Sequence, residues 1–279
     1  MQERYPGRPA GSVVNTDRRL RSRQHASVRY FRELHTPKDR RETGLYLLEG
    51  VHLVDEALKR GVPLVKVMWS PRLLERPNGP ALLARLRGAG VEMIEADDSI
   101  LDYVVTTETS QGVVASVPQP RYTVNDILIQ GGFSVLLDGV TDPGNMGTIM
   151  RTAAAAGTSG VLYLGTTTDP FSPKCVRATA GAVLWHPICR VGDETMLART
   201  KLLAASSHEG TDYSDKSLKT LCKDTVTLAI GSEAQGLSEA IETRLAARVH
   251  IPMHANVESL NAAAASAILI YHIRSLRAR

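Results

Sequence analysis

Only three of the 279 residues are cysteine, and Cys175, Cys189 and Cys222 form no C-x-x-C pair. An odd count at such wide spacing supports neither a disulfide framework nor a zinc site, so reduced, buried thiols are expected. Long hydrophobic runs are missing too. The longest, Ala262 to Ile273, falls well short of the ~20 residues that span a bilayer. No charged and then apolar signal region opens the chain, so a cytoplasmic protein without membrane contact is expected. The signatures G-x-x-x-x-G-K-[ST], G-x-G-x-x-G after a strand, G-x-S-x-G and H-E-x-x-H are all absent. That counts against a nucleotide hydrolase, a Rossmann dehydrogenase and a serine hydrolase. His250 and His254 flank a strand-to-loop segment rather than one helical face, with no cysteine nearby, so no metal is expected. His208 with Glu209 fits a turn better than a base with its orienter.

What is present suits a soluble globular chain. Hydrophobic residues make up 43%, charged residues 22%, and mean hydropathy is −0.11, which excludes disordered and fibrous classes. The length suggests two modules. Net charge is +4, but residues 1–44 hold eleven Lys and Arg against five Asp and Glu, leaving 22 against 24 for the remainder. The basic stretch carries Arg18, Arg19, Arg21, Arg23, Arg29, Arg32, Lys38, Arg40 and Arg41, interleaved with Tyr30 and Phe31. Such a mixture suits phosphate contacts with a stacking surface, and it equally suits a solvated tail.

From Leu45 onward, apolar or β-branched runs alternate with helical patterns: LYLLEG, VHLVDEALKRG, VPLVKVMWS, RPNGPALLARLRGAG, VEMIEA, DDSILDYVV and GVVASV. The alternation predicts a parallel or mixed sheet covered by helices over 45–117, after a basic segment over 1–44. Residues 118–131 carry two prolines and end at a glycine before Gly132, which predicts a linker with one short helix. A second α/β module over 132–279 alternates again, from FSVLLDGV to a final long helix starting near Ser259. Ligands of open α/β sheets sit at the carboxyl ends of strands, so the loops after Val140, Ile230 and Ile251 are the candidate sites.

Three segments border those loops. In DGVTDPGNMGTIMRTAAAAG a strand ends at Asp138, a Pro143-Gly144 turn follows, and a helix opens near Asn145. Arg151 is the one charged side chain on that apolar helix, and it either faces a ligand with its fork of donors or points to solvent. In LAIGSEAQGLSEAI a strand runs into Gly231, Ser232 and Glu233. That carboxylate either serves chemistry or satisfies the free N–H groups of the following helix. In HIPMHANVESLNAAAASAILIYHI a strand leads through a loop to Ser259, an N-cap candidate, and Asn261.

These residues resemble the SpoU, or TrmH, branch of the SPOUT RNA methyltransferases. Its first motif is similar to Asp138, Asp142, Pro143, Asn145, Gly147 and Arg151. The second matches Gly231, Ser232, Glu233, Gly236 and Leu237, and the third Ile251, Pro252, Met253, Ser259, Leu260 and Asn261. SPKCVRATAGA resembles a further family segment at Pro173, Lys174, Arg177 and Gly181, and the front module resembles the family's ribosomal-protein-like RNA-binding domain. Two departures stand out: Ala262 to Ala264 replace V-S-V, and His254 with Ala255 replaces a small-residue loop.

The resemblance implies an α/β fold whose C-terminal methyltransferase domain is threaded into a trefoil knot, where periodicity alone draws an unknotted doubly wound sheet. It implies S-adenosylmethionine as methyl donor without a metal, a homodimer paired through the C-terminal domain, and 2′-O-ribose methylation of RNA. The separate front module favours rRNA over tRNA, and a non-catalytic RNA-binding or assembly protein is the other alternative. By the same resemblance Arg151 is catalytic, with Asn145, Glu233, Ser259 and Asn261 positioning it and the substrate. Backbone groups at Ser206, Gly231, Ile251 and Leu260 hold the donor. The charge of the basic stretch, independently of the family, sets Arg29, Lys38, Arg40 and Arg41 as the expected RNA contacts.

Overall fold

The computed structural model describes residues 4–5, 19–254 and 256–277. Arg18 of the basic stretch and Ala255 of the third segment therefore lie outside the described residues. The elements in chain order begin with α1 (Ala26–Glu33), α2 (Pro37–Thr43), β1 (Leu45–Glu49), α3 (Val51–Lys59) and β2 (Lys66–Trp69). Next come α4 (Gly79–Gly88), β3 (Glu92–Glu95), α5 (Asp98–Val104) and β4 (Val113–Pro118). The chain continues through α6 (Val124–Ile127), β5 (Phe133–Asp138), α7 (Pro143–Ala156), β6 (Gly160–Leu164), α8 (Pro173–Ala178) and β7 (Ile188–Arg190). It closes with β8 (Lys201–Ser206), β9 (Thr211–Asp212), α9 (Leu218–Leu221), β10 (Val226–Gly231), α10 (Glu239–Glu242), β11 (Leu245–His250) and α11 (Ala262–Arg277).

Two compact units result. One runs to Arg121 and includes Phe171–Leu184; the other comprises Tyr122–Pro170 and the chain from Trp185 onward. The first is built on a mixed four-stranded sheet of order β1-β4-β2-β3, with β4 antiparallel to both neighbours and β2 parallel to β3. Its core gathers Val28, Phe31, Leu47, Met68, Ile94, Leu101 and Val114.

From Leu20 onward the basic stretch belongs to this unit and is not a solvated tail. Leu20 bridges to Ala96, and two helices follow. The local chemistry of α2 explains its bounds: Thr36 accepts from the Asp39 N–H at 3.1 Å, Pro37 sits in the first turn, and Gly44 ends the helix at φ 66°. The expected pair of stacking rings is not exposed: Phe31 is fully buried, and Tyr30 packs part-buried on the core with Lys66 Nζ over its ring at 4.7 Å and its hydroxyl tied to Ser116 Oγ at 2.8 Å. Arg40 is corrected as well. It is 2% exposed and donates to the Leu34 carbonyl at 2.9 Å, so its guanidinium supports the fold and does not face RNA.

α8, from the segment after β6, packs within this same unit against β1. There Arg177 Nη1 donates to Glu49 Oε2 at 2.8 Å and lies 2.6 Å from Thr106 Oγ1. The Thr106 N–H also donates to Glu49 Oε1 at 3.2 Å.

The second unit holds a seven-stranded sheet, β7-β6-β5-β10-β8-β11-β9, in which every neighbouring pair is parallel. β5 is buried throughout and β10 up to its last residue, so both read as continuous apolar runs. α7 buries Met146, Ile149, Met150 and Ala153, and its small residues allow α11 to pack closely against it. The helix starts at Pro143, two residues earlier than expected, because Asp142 Oδ1 accepts from the Asn145 N–H at 2.7 Å and proline fits the first turn. Cys175 and Cys222 are buried as expected, whereas Cys189 is only half-buried.

His186 is buried with Nε2 3.1 Å from Thr158 Oγ1, and burial pushes its imidazole down to about 4. The unfolded chain binds a proton there near pH 6.5 while the folded chain does not, so stability falls as pH drops below that value. Relative to His186→Gln, which retains a hydrogen-bonding amide without the titration, the wild type should lose about 2 kcal/mol between pH 7 and pH 5. Denaturant titrations of both proteins at the two pH values measure it, and parallel losses would remove His186 as the cause.

Candidate active site

Parallel strands place their carboxyl ends along one edge of a sheet, and in this unit β5, β10, β8 and β11 are adjacent. Gly231 pairs with Asp138 and His250 with Ser206, so four strands deliver their chain exits to one place. A cavity of about 330 Å³ opens there, within the range of small-molecule sites. Ser206, Gly231, Ile251 and Leu260 all line it, together with Glu233 and Ser259. A smaller cavity of about 120 Å³ is lined by Val140, Asp142, Asn145, Gly231 and Glu233. Gly231 and Glu233 border both.

The three segments meet through one amide. Asn145 Nδ2 donates to Glu233 Oε1 at 2.8 Å, while Asn145 Oδ1 accepts from Asn261 Nδ2 at 3.0 Å. Asn261 in turn accepts from the N–H groups of Ala263 at 2.9 Å and Ala264 at 3.3 Å. It is thus Asn261, and not Ser259, that caps α11, which begins three residues later than expected. The cap locks one end of the Asn261 side chain and directs its amide at Asn145. Glu233 does not serve as a cap. α10 has no side-chain cap; Asp138, buried at the end of β5, instead anchors the residue before it, its Oδ2 accepting from the Ser238 N–H at 2.7 Å.

Gly231 has a steric reason to be glycine. A Cβ there would meet the backbone of Gly236 at 2.5 Å and Leu237 N at 2.7 Å. The turn behind it is closed by reciprocal Ser232 and Gly236 backbone bonds, each 2.9 Å. Gly231, Ser232 and Gly236 of this turn all line the larger cavity.

Arg151 stands apart from this cluster. It is exposed on α7, six residues and so about 9 Å of helix beyond Asn145, and makes no hydrogen bond or ion pair with any described residue. Its five donors are free for a ligand. Of the expected RNA contacts, Arg29, Lys38 and Arg41 are exposed in the first unit. The His208-Glu209 pair is a turn whose N–H groups donate to Ser206 Oγ. Among the described residues no group of three His, Cys, Asp or Glu is placed to hold a metal, and no helix is long and apolar enough to cross a membrane.

Sequence reasoning passed over Glu242 and Arg248, an ion pair that lines the larger cavity. The available signal is a charged residue within β11, three positions before Ile251.

Comparison with known proteins agrees with this geometry. Residues 132–271 match the model of the SpoU rRNA Methylase family, and residues 25–115 match an MRM3-like substrate binding domain. The chain is 29% identical to the 23S rRNA (guanosine(2553)-2'-O)-methyltransferase RlmP of Bacillus subtilis, covering 92% of this chain and 99% of that one. It is 30% identical to the 23S rRNA (uridine(2479)-2'-O)-methyltransferase of Streptomyces viridochromogenes, covering 95% and 94%. Among solved structures, an AdoMet-bound rRNA methyltransferase from Sinorhizobium meliloti superposes with a TM-score of 0.79 at 31% identity, covering 92% of this chain and 97% of that one.

Proposed function

The chain belongs to the SpoU rRNA methylase family, and from that premise we propose that it transfers a methyl group from S-adenosylmethionine to a ribose 2′-hydroxyl of ribosomal RNA. The observation that carries the reading is the Glu233–Asn145–Asn261 hydrogen-bond chain beside a cavity lined by the loops after β8, β10 and β11. A chain that had kept only the fold for RNA binding would be under no constraint to retain it.

S-adenosylmethionine supplies, when bound, a methyl group already made electrophilic by its sulfonium, so no metal is required. The residues fit such a donor: Ser206, Gly231, Ile251 and Leu260 all line the larger cavity, and their backbone groups would hold it there. Asn145, held at both ends, fixes the Glu233 carboxylate at the smaller cavity, where the acceptor ribose binds. Ser259 lines the larger cavity beside Glu233 and helps position the substrate there. Arg151 contacts the acceptor's phosphate or hydroxyl and stabilises the alkoxide character that grows on the attacking oxygen. A guanidinium stays protonated, so Arg151 acts as a cationic donor.

The finer architecture follows the family. We place the C-terminal strands and their loops in a trefoil knot, supported by α11 packing on α7, β8 and β10 while the loop before it lines the same cavity as the loops after β8 and β10. A homodimer through this domain is supported by the exposed Ile268 and Tyr271 of α11. We assign RNA binding to the first unit, which takes in the basic segment from Leu20 and the 171–184 segment as well as the 45–117 module, and methyl transfer to the second unit, from Tyr122 to Pro170 and from Trp185 onward. With an rRNA substrate, a cytoplasmic location is our reading.

Mass mapping of ribose methylation in rRNA from cells with and without the gene tests the reading. Loss of one 2′-O-methyl group, restored by the purified protein with S-adenosylmethionine, is expected; an unchanged rRNA map overturns it. Gly231→Ala should weaken donor binding at least tenfold, because the added methyl collides with main chain that cannot swing aside. Calorimetry with and without chelator measures this, and an unchanged Kd in the variant would move the donor elsewhere.

A further inference from the structure

The cations of the basic stretch have separate fates. Arg19 pairs with Glu95 at 2.8 Å and Asp97 at 3.7 Å, and Arg21 with Asp97 at 3.5 Å. Arg40 is buried. Arg23 and Arg32 instead share one aromatic ring: their guanidinium carbons lie 4.7 and 4.5 Å from the centroid of Tyr103. Neither has a carboxylate partner among the described residues.

The ring comes from α5, and its exposure of 36% puts the group at the surface. Arg32 is held further by a bond from Nη1 to the Tyr103 carbonyl at 3.1 Å. The carboxylates of α5 and the residue before it are occupied elsewhere. Asp97 serves Arg19 and Arg21, while Arg72 holds Asp102 at 2.6 Å and Asp98 at 4.0 Å. Two like charges gathered on one ring repel each other, and the ring quadrupole offsets that repulsion only in part. The arrangement therefore leaves a local excess of positive charge with most of its N–H donors free. A bound polyanion relieves the repulsion and meets forks already restricted in position, which lowers the entropy lost on binding.

We infer that Arg23, Arg32 and Tyr103 form a phosphate clamp for the RNA substrate, in which the ring positions both guanidiniums on the backbone of one strand. This rests on the RNA methyltransferase reading above and assigns contacts outside Arg29, Lys38 and Arg41. Contacts to phosphate position a nucleic acid without reading its sequence, so the clamp contributes affinity and salt dependence rather than target choice.

Filter binding of unmodified 23S rRNA transcript across a salt series tests the clamp. Arg23→Gln with Arg32→Gln should lower affinity at least tenfold and reduce the salt slope by about two units, at ~0.9 per phosphate contact. Tyr103→Leu removes no charge, yet should weaken binding about three- to tenfold by releasing the guanidiniums. Tyr103→Phe keeps the ring and should bind as the wild type does. Donor affinity should stay constant in all four proteins. A wild-type salt slope in the double variant overturns the clamp, and wild-type affinity in Tyr103→Leu overturns the role of the ring. If the wild type methylates rRNA while the variants bind as it does, the clamp alone fails. A wild type that neither binds nor methylates rRNA overturns the functional reading with it.

Discussion

Replacing Arg151 by alanine lowers methyl transfer to rRNA by a hundredfold or more, while the donor Kd and the denaturation midpoint stay at wild-type values. The second half of that expectation comes directly from the structure. Arg151 is exposed, has no partner among the described residues and does not line the cavity assigned to the donor, so its removal leaves no orphaned group and no void. The first half comes from the chemistry. A ribose hydroxyl is a weak nucleophile, and a cationic donor that RNA binding brings beside the developing oxyanion contributes about 3 to 4 kcal/mol to the transition state. Because that interaction strengthens only as charge develops, kcat should fall more than KM rises. Arg151→Lys keeps the charge without the fork and should recover part of the rate. Single-turnover assays with the natural rRNA, alongside calorimetry with the donor, separate the two halves. Near wild-type turnover in the alanine variant would sink the assignment.

Arg177→Ala is expected to destabilise the protein by about 3 kcal/mol. Glu49 has a side chain only 3% exposed, and Arg177 is the cation that meets it, at 2.8 Å. Removing one partner of a buried pair leaves an uncompensated charge, which costs far more than an exposed ion pair contributes. The Arg177 side chain is 32% exposed, so water replaces part of the lost interaction and the effect stays near the lower end for such pairs. Thr106 keeps its bonds to Glu49 at 3.1 and 3.2 Å and limits the loss further. Glu49→Gln combined with Arg177→Met removes both charges and should recover much of the stability. Denaturant midpoints of the two variants decide the matter: equal losses would show that the segment is held by apolar packing of α8 rather than by the ion pair.

The linear chain carried a great deal of this. Alternation of apolar runs with helical patterns predicted both sheets, since a strand buried on two faces and a helix buried on one stripe each leave a local signature. Strand ends pointed to the loops after Val140, Ile230 and Ile251, because parallel strands deliver their carboxyl ends to one edge, whereas Ser206, Gly231, Ile251 and Leu260 as a donor-binding group came from the family resemblance. Bounds were less legible. Competition between Asp142 and Asn145 for the start of α7, and between Ser259 and Asn261 for the start of α11, is settled by which side chain reaches a free N–H.

Residue type, order and spacing by themselves therefore determined the fold class, the family and the three segments from which the candidate site is made. Only the tertiary structure decided what each side chain does there. Asn145 could not be seen as the link between residues 88 positions and 116 positions away until the strands carrying them were paired. Arg40 and Arg23 look alike in a run of basic residues, yet one is enclosed near the Leu34 carbonyl and the other lies on a ring supplied by Tyr103. The reason is physical: local propensity acts over a few residues, whereas burial, ion pairing and hydrogen bonding depend on which distant surfaces the packed chain brings within a few ångströms.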